Sequence, residues 1–168
     1  MRPFAKTIER LDTIPGVGRR AGEQIVAELG VDMSRFPTAA HAASWTGICP
    51  GNNESAGKRR SGTTPMGNRW LRTALVECAK GAVRKKDSYF RAQYHHLAPR
   101  RGGKRATVAV AHSILVAAYH VLRDGTVYRD LGPRHFDTLQ RDRLTRYHVR
   151  PLRDLGYQFE QKPNGTAA

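Results

Sequence analysis

Apolar residues recur at helical spacing along most of the chain, so the sequence predicts a mainly α-helical fold. The clearest rhythm starts after Asn68, which can cap the helix, and it counts Trp70 among the packing residues. The most apolar helix is predicted over residues 106–122. Because apolar residues cover most of its circumference, we place it at the centre of a helical bundle. Weaker patterns predict further helices over residues 3–12, from the turn at Gly18 to Leu29, over 39–45, over 88–97 and over 134–154.

The C-terminal part of the chain is rich in arginine. Residues 134–154 hold six arginines against three aspartates, with a sparse apolar stripe, and this pattern predicts an arginine-rich surface helix that Pro151 breaks or kinks. Residues 155–159 are expected to form a short strand. We predict one helical domain over residues 1–160 and a disordered tail over 161–168.

A tight turn between two helices is predicted near the N-terminus. Pro15 and Gly16 end the first helix, and Gly18 permits a sharp turn before the second. This arrangement over residues 11–30 predicts a helix-hairpin-helix motif, in which turn amides at a helix N-terminus contact a DNA phosphate without reading bases. Gly16, Gly18, Arg19 and Arg20 are therefore candidate phosphate ligands. The alternative is a structural hairpin that only packs the domain.

Residues 50–72 combine small hydroxyl groups, glycines and cations. The hydroxyls are Ser55 and Ser61. Guanidinium groups match phosphate oxygens, and glycine lets a backbone approach a ligand closely. The stretch therefore predicts either a serine that attacks a phosphodiester or a solvated basic loop that only touches nucleic acid. Its candidate nucleic-acid-binding cations are Lys58, Arg59, Arg60, Arg69 and Arg72.

A second basic loop is predicted over residues 99–105, where Lys104 and Arg105 are further candidate nucleic-acid ligands. No metal ligand set is predicted, because the adjacent histidines at 95 and 96 point apart on a helix. Two cysteines are too few for a disulfide framework. Cys49 and Cys78 both stand among apolar neighbours, and we expect buried free thiols in a reducing cytoplasm.

The charge of the chain narrows the class of partner. Lys and Arg number 29 against 14 Asp and Glu, which gives a formal net charge of +15 over 168 residues. Nucleic acid is the first expected partner, and an anionic membrane surface is the second. The membrane is disfavoured, since no apolar run is expected to approach the roughly 20 residues that span a bilayer. The N-terminus has no signal-peptide pattern, so a cytoplasmic protein is expected.

Several landmarks follow one another in a specific order. They are the segments 11–18 (LDTIPGVG), 45–50 (WTGICP), 55–62 (SAGKRRSG), 67–75 (GNRWLRTAL), 105–106 (RA), 109–115 (AVAHSIL) and 128–132 (YRDLG). With this order and spacing, the chain closely resembles the C-terminal transposase domain of the insertion-sequence 110/116/902 transposase family over about residues 8–160. An ordered set of this kind is far more specific than any single motif.

The resemblance implies a DNA recombinase of mobile elements, guided in some members by a structured bridge RNA. It implies that a serine attacks a DNA phosphodiester beside an N-terminal RuvC-like domain whose acidic residues hold Mg²⁺. By motif that serine falls on Ser55, with Ser61 as the second candidate and the more probable scaffold hydroxyl. No RuvC-like pattern precedes residue 8. We therefore expect an excised domain, a truncated product or a piece that pairs with another chain, unable to transpose alone.

Two functions from different classes remain open on the sequence. In the first, Ser55 is the nucleophile of a recombinase domain that needs the RuvC-like domain in cis or in trans, and strand exchange implies self-association. In the second, the chain is a non-catalytic module that binds element DNA or guide RNA through its basic surfaces. A ribosome-associated basic protein is disfavoured by the ordered landmarks.

Overall fold

A computed structural model describes residues 2–49, 53–61 and 63–158; for residues 2, 53–55, 58–61, 140, 142 and 144 it describes the backbone only. The chain divides into two compact units, residues 1–133 and residues 134–168. The single domain predicted over residues 1–160 stays a prediction. The tail predicted over residues 161–168 lies outside the described residues.

The described residues of the first unit form six α-helices and one short β-hairpin, together with 3-10 turns at Arg2–Phe4 and Met33–Arg35. In chain order these are α1 (Ala5–Asp12), α2 (Arg19–Leu29), α3 (Ala39–Thr46), β1 (Asn53–Ser55), β2 (Lys58–Ser61), α4 (Arg69–Arg84), α5 (Tyr89–Arg101) and α6 (Gly103–Asp124). The second unit contains α7 (His135–Asp154). The predicted mainly α-helical fold is confirmed.

Helix α6 occupies the centre of the first unit, as predicted. Its buried residues, which include Val110, Ile114 and Leu115, face α3, α4 and α5. The Tyr119 hydroxyl donates to the carbonyl of Phe36 at 2.9 Å, so this buried hydroxyl has a hydrogen-bond partner. Within the described chain, α6 is long and apolar enough to cross a membrane, contrary to the expectation that no run approaches that length. Its contacts with α1, α3, α4 and α5 are those of a core helix.

Side-chain caps explain where two helices begin. The Asn68 side-chain oxygen accepts from the amide of Leu71 at 2.9 Å, and this bond opens α4 as predicted. The Ser88 hydroxyl accepts from the amide of Arg91 and opens α5. Both caps satisfy amides that have no partner within their own helix.

The turn between α1 and α2 packs against the C-terminal half of α4. Gly16 has a positive φ of 84°, and a Cβ placed there would lie 2.7 Å from the Ala82 nitrogen. No side chain fits in that space, so the position requires glycine for close backbone packing as well as for its conformation. The turn is therefore fixed to the core.

Three segments differ from the sequence predictions. The predicted second basic loop is mostly helical, because α5 continues through Pro99 to Arg101 and α6 begins at Gly103. Only Gly102, with a φ of 81°, separates the two helices. Pro151 lies inside α7, which continues to Asp154, and the described residues 155–158 form no strand.

Candidate nucleic-acid interface

The segment with the two serines folds as a β-hairpin. Ser55 ends β1 and pairs with Lys58, Glu54 pairs with Arg59, and the register shifts between Asn53 and Glu54. The two-residue turn between the strands has positive φ at both positions, 51° at Ala56 and 73° at Gly57. Two positive φ values are the signature of a type I′ turn, which suits the natural twist of a two-residue hairpin. Ser55 therefore lies directly before the turn.

The side chains of Ser55, Lys58, Arg59, Arg60 and Ser61 lie outside the described part of the structure. The roles predicted for them stay predictions. What the backbone establishes is a register in which Ser55 has a lysine as its cross-strand partner, while Ser61 pairs with Asn53. The two candidate serines therefore occupy different rungs of the ladder.

The β-hairpin belongs to a segment that begins at Gly47 and ends at Gly67, and the backbones at these two glycines are in close contact. Gly47 ends α3 with a φ of 74°, and a Cβ there would lie 2.8 Å from the Pro65 carbonyl oxygen. A Cβ on Gly67 would lie 2.5 Å from the Thr46 carbonyl carbon. The Asn68 amide also donates to the Trp45 carbonyl oxygen at 3.3 Å. The chain thus leaves and rejoins the helical scaffold at one backbone crossing.

The start of α4 is fixed to this crossing and to α2. Arg72 donates from Nη2 to the Thr64 hydroxyl at 2.8 Å, and this bond ties its guanidinium to the segment between β2 and α4. Gln24 on α2 donates to the Trp70 carbonyl oxygen at 3.2 Å, and Glu28 accepts from the Asn68 side chain at 2.6 Å. Of the predicted cations of this region, Arg69 is exposed and Arg72 is half-buried.

Helix α2 runs alongside α4, from the predicted helix-hairpin-helix turn next to Ala82 to Glu28 at the start of α4. Arg20, Gln24 and Glu28 follow one another at intervals of four residues, so they share one stripe of α2. Since Gln24 and Glu28 contact the start of α4, Arg20 lies about 6 Å further along this stripe, away from that start and towards the turn. Arg20 and Arg69 therefore stay separate candidates.

The first turn of α2 has the character of an anion site. Gly18 precedes it without a side-chain cap among the described residues, and Arg19 and Arg20 are both exposed. Arg19 is also near a carboxylate, with Nε 3.4 Å from Glu23 Oε1. Amides at the start of a helix lack intrahelical acceptors and favour an anion. The phosphate contacts predicted for Gly16 and Gly18 stay predictions.

Helix α6 starts in the same way. Gly102 precedes it without a side-chain cap in the described chain, and the exposed Lys104 and Arg105 lie in its first turn. The Arg100 guanidinium is 2.6 Å from His96 Nε2 in the last turns of α5. The predicted basic loop is thus a helix–helix corner with cations on both sides of one glycine.

Helix α7 presents a line of arginines. Arg143, Arg146, Arg150 and Arg153 are exposed, and their spacing places them on one side of the helix. At 1.5 Å per residue they extend over about 15 Å. This matches the predicted arginine-rich surface helix.

Sequence reasoning missed one feature of this region. Trp70 was predicted to pack in the core, but 69% of it is exposed, whereas its neighbour Leu71 is fully buried. Met66, four residues earlier, is fully exposed. The position of Trp70 could have indicated its exposure. Trp70 is the second residue of α4, and the first turn of a helix packs against fewer neighbours than its middle.

Burial shifts the pKa of two side chains of the helical scaffold, Cys78 and His112. Burial raises the pKa of the Cys78 thiol to about 11, so it stays protonated at neutral pH. Burial also lowers the pKa of His112, which favours the neutral imidazole. Cys78 is buried and Cys49 is half-buried, and both are free thiols. Among the described residues no group of three His, Cys, Asp or Glu side chains comes together to hold a metal ion.

The fold and the candidate site define a mainly α-helical, strongly basic protein that exposes cations at several helix ends. Residues 8–95 match the Transposase IS116/IS110/IS902 family. That stretch is more than half of the chain, and the chain belongs to this family. The predicted resemblance is confirmed.

Two curated relatives match a longer stretch. "Insertion element IS110 uncharacterized 43.6 kDa protein" of Streptomyces coelicolor is 33% identical over 127 residues, which cover 73% of this chain and 30% of that protein. "Putative transposase y4pF/y4sB" of Sinorhizobium fredii is 29% identical over 126 residues, which cover 72% of this chain and 32% of that protein. The chain spans about a third of the length of these relatives.

Proposed function

We propose that this chain is a transposase domain that binds DNA and supplies Ser55 as the nucleophile for strand cleavage and rejoining. Membership of the transposase family supports the role in transposition. The observation that favours Ser55 is its place as the last residue of β1, opposite Lys58 and directly before a type I′ turn on a hairpin anchored to the core. Such a turn presents the residues beside it at the tip of a defined structure.

In the proposed reaction Ser55 Oγ forms a bond to phosphorus, and the bond from phosphorus to one deoxyribose oxygen breaks. The hydroxyl proton passes to a base, and the departing oxygen takes up a proton. Cations around the hairpin neutralise the charge that develops on the phosphorane oxygens, and Arg69 and Arg72 are the described candidates. The link between serine and phosphate conserves the bond energy, so that a deoxyribose hydroxyl reverses the step on rejoining.

The base is not assigned to a residue of this chain. The described side chains of this chain do not form a set of ligands for Mg²⁺. We propose that a RuvC-like domain, in cis or in trans, holds Mg²⁺ and completes the centre. We further propose that the protein acts in the bacterial cytoplasm at the nucleoid, as an oligomer, with a structured guide RNA as a second partner.

The test is covalent trapping with the hairpin serines changed one at a time. The full chain is supplied with a RuvC-like domain, Mg²⁺ and element DNA, and a denaturation-resistant protein–DNA adduct is measured on a gel. Ser55→Ala should abolish the adduct, while Ser61→Ala should retain it. If only Ser61→Ala abolishes the adduct, Ser61 is the nucleophile. If each single variant still forms the adduct, the nucleophile is not a serine of this hairpin.

A second candidate function is non-catalytic binding of element DNA or guide RNA. The uncapped, cation-bearing starts of α2 and α6 favour it, because neither needs a nucleophile to bind phosphate. In this case the trapping assay gives no adduct with any partner domain. Binding still weakens steeply with salt, since each neutralised phosphate releases counterions.

A further inference from the structure

The exposed indole at the start of α4 is the feature that the serine chemistry does not use. Trp70 leaves 69% of its surface in solvent, although burial of a tryptophan is strongly favourable. Its backbone is held on both sides: its carbonyl accepts from Gln24, and the next residue, Leu71, is fully buried. The indole therefore projects from a fixed point of the scaffold.

The surroundings of Trp70 are cationic. Arg69 is exposed beside it, and the guanidinium of Arg72 is tied to Thr64 at 2.8 Å. The first turn of α4 contains no acidic residue, and the nearby carboxylate of Glu28 is engaged by Asn68. A negatively charged ligand is thus favoured at this end of α4.

The same contacts place the indole near the hairpin. Thr64 follows Ser61 by three residues, so their Cα atoms are separated by at most about 11 Å of extended chain. Trp70 follows Gly67 by three residues, and Gly67 lies at the backbone crossing from which the hairpin segment extends, so the base of the hairpin and the start of α4 belong to one neighbourhood. A strand whose phosphate reaches the hairpin can bring a flanking base to Trp70.

The size of the apolar surface points to a base rather than to a protein partner. The exposed side of α4 continues from Trp70 to Thr73, which is polar. Among the described residues of the stretch 45–70, the other exposed large apolar side chains are Trp45 and Met66. An exposed indole matches the flat face of a nucleobase, and aromatic side chains beside cations are the usual platform for single-stranded DNA. Protein interfaces bury a much larger continuous patch.

We propose that Trp70 stacks on an unpaired base of the DNA strand bound beside the hairpin, and so fixes which phosphate is presented there. Arg69 binds the backbone of that nucleotide, and Trp70 is a positioning residue. The proposal rests on the proposed function only in that the ligand is DNA. The stacking itself does not require Ser55 to be the nucleophile.

Fluorescence tests the stacking directly. Trp45→Phe leaves Trp70 as the remaining tryptophan of the chain, and the full-length variant is titrated with a mixed-sequence single-stranded DNA or with its abasic counterpart. Trp70 emission should be quenched by the first and much less by the second. Equal quenching by both would overturn the proposal, because a sugar-phosphate backbone cannot stack. Quenching by the matching RNA but not by DNA would overturn the assignment to DNA.

Affinity separates stacking from charge. Trp70→Ala should weaken binding of single-stranded DNA about 5- to 150-fold with an unchanged salt dependence, while Trp70→Phe keeps part of the affinity. Arg69→Ala, the matched control on the adjacent residue, should reduce the slope of binding against salt by about one phosphate contact. Unchanged affinity in Trp70→Ala would refute the proposal, as would self-association that Trp70→Ala abolishes. Ser55→Ala should leave the quenching intact, so failure of the nucleophile and failure of the stacking give different results.

Discussion

The backbone crossing beneath the hairpin can be tested with one methyl group. Gly67→Ala places a Cβ 2.5 Å from the Thr46 carbonyl carbon and 2.6 Å from its oxygen. Ordinary contact begins at 3.4 Å, so the two segments must separate by about 0.9 Å. Overpacking of this kind costs about 1–3 kcal/mol, which lowers Tm by about 2–12 °C for a chain of this size.

The effect on function should be larger than the effect on stability. A displacement near 1 Å at the base of the hairpin moves Ser55 relative to the bound strand, and a misplacement of that size can cost about 100-fold in rate. We therefore expect Gly67→Ala to form the DNA adduct about 100-fold more slowly while it remains folded at room temperature. Melting is followed by circular dichroism, and adduct formation by the trapping assay with a RuvC-like domain present.

Gly81→Ala is the matched control for this experiment. Gly81 lies inside α4. A Cβ there would be 3.6 Å from the nearest atom, Gly16 Cα, which is an ordinary van der Waals distance. Alanine is favoured over glycine in a helix by up to about 1 kcal/mol, so the variant should melt at or above the wild-type temperature. If Gly67→Ala melts and reacts like the wild type, the crossing is not tight and the reasoning is refuted.

Three further predictions concern the capping residue of α4 and the two cysteines. Asn68→Ala removes the cap on Leu71 and the bond to Glu28, and should lower the free energy of unfolding by about 1–2 kcal/mol in chemical denaturation; an unchanged midpoint would contradict the role of the cap. Burial raises the pKa of Cys78 from about 9 to about 11, so the folded state binds a proton that the unfolded state releases, and stability should fall as pH rises between these values. In an aromatic disulfide assay at pH 8, Cys49 should react before Cys78, and equal rates would contradict the burial of the latter.

The helices were predictable because their signals are local. The i, i+3, i+4 rhythm located α4 and α6, and Asn68 identified the first residue before α4. The central place of α6 followed from apolar residues around most of its circumference. These features depend on near neighbours in sequence, where spacing and capping chemistry are sufficient.

The structure differs from the sequence predictions where tertiary contacts or single residues determine the local conformation. Trp70 fits the apolar rhythm, yet in the first turn of α4 it is exposed while Leu71 turns inward. The basic corner was expected to be a loop because Pro99 and two glycines follow one another, but one residue, Gly102, is enough to reverse the chain. Proline inside a helix is disfavoured rather than forbidden when the flanking turns are held by packing.

The candidate site was predictable in composition and not in geometry. The serines and cations are visible in the sequence, whereas the register that pairs Ser55 with Lys58 is not, since the strands are only three and four residues long. The turn also lacks the Asn-Gly signal of type I′ hairpins and uses Ala56 with a positive φ. The direction in which α2 runs along α4 required the contacts of Gln24 and Glu28.

The contact between Gly47 and Gly67 joins main chain to main chain. The adjacent Ile48 is buried in the core and Thr64 binds Arg72, so changes at these two residues would disturb the helices beneath. The β-hairpin between them takes no part in either contact. We therefore expect that the hairpin can vary in residue type while the helical scaffold keeps its packing.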